Sequence, residues 1–118
     1  MSVFLDVAIS RFSESDDTTF FLGDFSTATL PNTDYVLASG AFNYRNSDPD
    51  FVLKVIDKLF ANCRRGLAFN LMSAIKASDC ILVAYNPSSV LKYCQALSDK
   101  VIIHQGYFED DFTIWVNK

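Results

Sequence analysis

Two apolar runs with a helical repeat between them constrain the fold of this chain more than any other feature. The first, Asp34-Tyr35-Val36-Leu37-Ala38-Ser39-Gly40, is continuously apolar at its centre, and Leu67-Ala68-Phe69-Asn70-Leu71-Met72 has the same character. Unbroken apolar runs of this kind are expected of strands covered on both faces. Between them, Phe51, Val52, Val55, Ile56, Leu59, Phe60 and Cys63 recur at the spacing of one helical face. Asp48-Pro49 predicts the start of that helix, with Asp at the N-cap and Pro in the first turn. Arg64-Arg65-Gly66 predicts its end, because cations favour the macrodipole just before a Gly. Strand, helix, strand in this order implies a parallel pair.

The flanking sequence extends the pattern. Phe4, Leu5, Ala8, Ile9 and Phe12 give Val3 to Phe12 one apolar helical face, with Ser2 as N-cap. Thr18-Thr19-Phe20-Phe21-Leu22 is β-branched and aromatic and is closed by Gly23-Asp24, so a short strand is predicted. Ile81 to Tyr85 is ambiguous between strand and helix and reads best as a short irregular segment leading to Asn86-Pro87-Ser88, which opens a helix carrying Val90, Leu91, Cys94 and Leu97 on one side. Lys100 to Gln105 and Phe112 to Val116 are predicted to close the chain as an antiparallel hairpin around Glu109-Asp110-Asp111. The expectation is a single α/β domain over residues 1–118, with a mixed sheet of about five strands and three helices.

Composition narrows the function. The 118 residues carry 10 Lys and Arg against 14 Asp and Glu, a net charge of −4, and no basic stripe that would neutralise a phosphate backbone. No apolar run reaches the roughly 18–20 residues of a membrane span, and MSVFLDVAIS lacks the features of a secretory signal. Nucleic-acid and membrane partners are therefore not expected, and a cytoplasmic location is. Cys63, Cys80 and Cys94 have no CxxC spacing and lie among apolar residues, so buried free thiols are expected. His104 is the sole histidine, which leaves a His-based metal site or a Ser–His–Asp triad without partners. No metal site is expected, and no catalytic set emerges.

Only four glycines occur, and GxGxxG, GxxxxGKS and GxSxG are all absent. In order and spacing, however, the chain resembles the later half of a class I S-adenosylmethionine-dependent methyltransferase, with its Rossmann-like sheet. The resemblance is carried by Phe20-Phe21-Leu22-Gly23-Asp24-Phe25 and by the run Asp34 to Asn43. It continues through Arg65-Gly66-Leu67-Ala68-Phe69-Asn70 and Tyr85-Asn86-Pro87-Ser88-Ser89-Val90-Leu91, and ends in the hairpin strand Asp111-Phe112-Thr113-Ile114-Trp115-Val116. It implies a truncated sheet whose last strand is inserted antiparallel. The family's glycine-rich loop and the acidic residue that binds the ribose have no counterpart here.

The resemblance implies cofactor-site positions at Asp24 and Phe25, on the adenine side, and at Ser39, Gly40, Ala41 and Phe42, which line the cofactor and substrate cleft. Each has a plainer assignment: Asp24 as a turn cap, Ser39-Gly40 as a strand-to-loop transition. Asn43, Tyr44 and Arg45 could hold a substrate or be ordinary loop residues. Trp115 with Tyr107 and Phe108 suggests a stacking platform, although core packing on the sheet is the stronger expectation. With the gripping loop missing, no cofactor is expected for the isolated chain, and S-adenosylmethionine only if a missing half completes it. The default small-molecule pocket lies at the strand ends near Asp24, Ser39 and Asn70. Phe20 to Phe25 either pairs with Tyr35 to Ser39 or leaves that strand as an open edge, in which case a homodimer through the edge is expected.

Overall fold

The computed structural model describes residues 6–7, 10–11, 18–20, 23–75, 81–107 and 109–118. The chain divides into two compact units, Met1–Leu30 and Pro31–Lys118. In the first, Asp6, Val7, Ser10 and Arg11 are helical, and the rest of the helix predicted over Val3 to Phe12 lies outside the described residues. Thr18, Thr19 and Phe20 carry no strand, and Phe21 and Leu22 of that predicted strand also lie outside. High β-propensity needs a partner strand to be realised, and Thr18 to Phe20 join no ladder.

The second unit holds a four-stranded sheet: β1 (Thr33–Ala38), β2 (Cys63–Met72), β3 (Lys100–Gln105) and β4 (Asp111–Asn117), with α1 (Phe51–Asn62) and α2 (Pro87–Leu97). The second unit thus holds four strands and two helices; the third expected helix is the one described in part in the first unit, and the fifth expected strand falls at Thr18 to Leu22. The sheet order is β1-β2-β4-β3. β1 and β2 pair in parallel, as the strand–helix–strand pattern requires, and β4 runs antiparallel to both β2 and β3. The mixed sheet with an inserted, reversed last strand is the one the resemblance implies.

Register decides which face is buried. Leu67, Phe69 and Leu71 of β2 stand opposite Val116, Ile114 and Phe112 of β4, and all six are at most 1% exposed. Val52, Val55, Ile56 and Leu59 of α1, and Val90 and Cys94 of α2, complete this core. The two helices lie side by side, joined by the Tyr93 phenol, which donates to Asp57 Oδ2 at 2.6 Å. One face of the sheet therefore carries both helices. The phenol is pushed up to about 12, first because it donates to the Asp57 carboxylate. Cys63 and Cys94 are buried free thiols as expected, with burial pushing Cys94 up to about 11; Cys80 lies outside the described residues.

Two predicted boundaries move. The Asp48 carboxylate accepts from the Asp50 N–H at 2.9 Å, so it caps a turn, and α1 begins only at Phe51. More consequential is the other end. Arg64, Arg65 and Gly66 do not close the helix; they belong to β2, which starts at Cys63 directly after Asn62. Arg64 reaches Asp34 of β1 at 3.4 Å rather than the helix terminus. Gly66 is in the strand because a Cβ there would stand 2.9 Å from Asn117 Oδ1 and 3.3 Å from the Val116 carbonyl. At the second helix the local signal holds: Asn86 Oδ1 accepts from the N–H groups of Ser88 and Ser89, and Pro87 opens the helix.

Ile114, fully buried at the centre of β4, is the residue on which the two hairpin pairings converge. Ile114→Ala should lower unfolding free energy by about 2–5 kcal/mol. Gln95→Ala, on the exposed side of α2, should change it by less than about 0.5 kcal/mol. Urea denaturation of the two variants measures both; equal midpoints would contradict the assigned core.

Candidate functional site

A shallow cleft of about 170 Å³ lies over the end of β1 and the later part of β2, on the sheet face opposite the helices, lined by Leu37, Ala38, Ser39, Ala68, Phe69, Asn70 and Thr113. Two polar side chains stand at its mouth. Asn70, the one amide in the apolar run Leu67 to Met72, accepts from the Gly40 N–H at 2.7 Å and donates to Ser39 Oγ at 3.3 Å. Gly40 adopts φ +66°, a left-handed conformation that a side chain rarely tolerates, and this turns the chain out of β1. The strand-to-loop transition expected of Ser39-Gly40 is thus realised, and Asn70 locks it from the neighbouring strand.

Beyond the turn the segment dives into the core. Phe42 is buried and packs against Phe69 with ring centroids 5.8 Å apart, supporting the cleft from beneath rather than lining it. Asn43, entertained as a substrate residue, is only 5% exposed. Its Nδ2 donates to the Val83 carbonyl at 2.8 Å, its Oδ1 accepts from the Met72 N–H at 3.0 Å, and its own carbonyl accepts from the Val83 N–H at 2.6 Å. One side chain therefore ties the loop after β1 to the end of β2 and to the irregular segment that begins at Ile81. Tyr44 is exposed and forms a single bridge with Leu82. The amide of Asn43 satisfies backbone groups that would otherwise be buried unpaired.

Asp24 and Phe25 belong to the first compact unit. Asp24 Oδ1 accepts from the Ser26 N–H at 2.9 Å and from Ser26 Oγ at 2.6 Å, while its carbonyl accepts from the Thr27 and Ala28 N–H groups. That is the turn-capping arrangement an Asp after a strand-like segment favours. Phe25 is exposed.

The aromatic residues near the hairpin separate. Trp115 is not core: it alternates with buried Ile114 and Val116 and lies on the sheet face opposite the helices, 39% exposed. Tyr107 stacks on His104 with centroids 5.5 Å apart and shares a 2.8 Å hydrogen bond with Thr113 Oγ1. Phe108 lies outside the described residues. Among the described residues no group of three or more His, Cys, Asp or Glu could hold a metal ion, and no helix is long and apolar enough to cross a membrane.

Asn43→Leu leaves the Val83 carbonyl and the Met72 N–H without their buried partner. Stability should fall by about 2–4 kcal/mol, since each stranded group costs about 1–3 kcal/mol. Thermal denaturation followed by circular dichroism tests this; a variant as stable as the parent would return Asn43 to the class of surface loop residues.

No protein-family model matches the chain, and no curated protein does. Among solved structures, magnesium protoporphyrin IX methyltransferase (ChlM) from Synechocystis PCC 6803, with bound SAH, is similar in fold at TM-score 0.70 and 10% sequence identity. The match covers 96% of this chain and 56% of that one, so the chain spans little more than half the length of the enzyme it resembles. The sheet of Pro31–Lys118 and its two helices are consistent with the carboxyl-terminal half of a class I methyltransferase fold.

Proposed function

We propose that this chain is a methyltransferase-derived domain, the carboxyl-terminal half of an S-adenosylmethionine-dependent methyltransferase, that transfers no methyl group by itself. The observation that carries the reading is the likeness to an SAH-bound methyltransferase over only 56% of that enzyme's length. Methyl transfer depends on holding a sulfonium donor in line with its acceptor, and most of that catalysis is positioning. The residues at the cleft do not fit a whole donor molecule. A volume of about 170 Å³ falls below the roughly 300–1,000 Å³ of a typical small-molecule site. Its polar groups, Ser39 Oγ and Asn70, are engaged with each other and with Gly40. A donor site would need a glycine-rich loop and a ribose-binding carboxylate from outside the matched half, on another polypeptide or elsewhere in a longer one.

Isothermal titration of the 118-residue chain with S-adenosylmethionine and with S-adenosylhomocysteine should give no binding at micromolar concentrations. Saturable micromolar binding to this chain alone sinks the reading.

A second reading, self-association as a binding or assembly module, is favoured by one observation. β1 borders the four-stranded sheet, and its Tyr35 and Leu37 are exposed. A bordering strand of this composition invites another chain, and a two-fold homodimer is the commonest cover. Sedimentation velocity of the chain at micromolar concentration should give a dimer; a monomer removes this reading and leaves the first intact.

A further inference from the structure

The sheet has a second face that neither helix covers, and it is unusually free of charge. Register places Leu37, Ala68, Trp115 and Ile102 in one straight row across all four strands. Leu37 is 72% exposed and Ile102 60%. The next row towards the strand ends holds Asn70, Thr113 and His104, and the row before holds Tyr35, 51% exposed, and Gly66. Between the first and last positions of this face no Asp, Glu, Lys or Arg occurs, although a fifth of the chain is charged. The charges sit at its two extremes, with Arg64 of β2, ion-paired to Asp34, at the same end as Lys100. Lys100 lies at the start of β3, and Asp111, on the same face, at the start of antiparallel β4, so they stand at opposite ends of the sheet.

We propose that this face packs against the same face of a second copy of the chain, the strands of one sheet reversed over those of the other. This rests on the self-association reading and deepens it, placing the contact on the face rather than along the β1 backbone. Three physical arguments lead there. A row of exposed apolar side chains across a whole sheet face marks an interaction surface. The exposed side chains of the face amount to on the order of 600 Å² per copy, so a pair withdraws about 1,200 Å², the lower end of a specific interface. Reversal brings Lys100 of each copy towards Asp111 of the other, so these charges meet with opposite sign. An uncharged centre lets two chains of net charge −4 approach without burying like charges.

Trp115 is the only tryptophan of the chain and stands in the middle of the row, so its fluorescence reports this contact and no other. The full chain is followed by sedimentation velocity and by acrylamide quenching of Trp115 from about 1 to about 100 µM. The expected result is a dimer in which Trp115 is shielded, with quenching rising on dilution in step with dissociation. Ile102→Glu, far from β1 and exposed, should raise the dimer Kd at least about tenfold with an unchanged circular dichroism spectrum. Lys100→Asp should weaken the dimer, and adding Asp111→Lys should restore it. A dimer whose Trp115 stays fully quenchable and which tolerates Ile102→Glu overturns the face contact while the self-association reading stands. A chain monomeric throughout overturns both, and assigns the face to a different polypeptide.

Discussion

Everything in the second unit depends on β4 entering between β2 and β3 in reverse direction. Its pairing with β2 runs unbroken from Asn117 opposite Gly66 to Asp111 opposite Met72, and with β3 from Asn117 opposite Lys100 to Phe112 opposite Gln105. Without it, β2 and β3 would be separate edges, and the two helices would rest on disconnected supports. Its alternation places Phe112, Ile114 and Val116 under the helices and Thr113, Trp115 and Asn117 on the other side. One strand thus fixes the core and composes the open face at once. The close approach at Gly66 belongs to the same constraint, since the end of β4 takes the space that a side chain there would need.

The cleft is governed by two asparagines that work on backbone rather than on a ligand. Asn70 holds the Ser39-Gly40 turn at the end of β1, and Asn43 holds the loop that follows against Met72 and Val83. Both bind through amides with a donor and an acceptor, which is what a mixed set of stray N–H and C=O groups requires. Both asparagines thus fix the chain around the cleft through backbone groups.

Much of this was legible in the residues. The strand–helix–strand unit, the Asn86-Pro87 helix start and the final hairpin all carry local signals that tertiary contacts did not override. The errors have a common physical source. Arg64-Arg65-Gly66 looks like a helix end because cations and Gly favour one locally, but the chain enters β2 there, and Gly66 answers to a neighbouring strand that no local window contains. Thr18 to Phe20 has strand composition without a ladder. In an aromatic-rich chain Trp115 reads as core, whereas period-two alternation with Ile114 and Val116 places it on the opposite face. For the site, the amide of Asn70 inside an apolar run was the visible signal. Asn43 had none, since only its burial distinguishes it from a loop residue.

The junction between α1 and β2 has a consequence for how the molecule opens. Asn62 is the last helical residue and Cys63 the first of the strand, so no intervening residue can act as a hinge. Fraying at the end of the helix is transmitted straight into the ladder that β1 and β4 share with β2. The helix and the central strand therefore behave as one cooperative block in native-state hydrogen exchange, losing protection together.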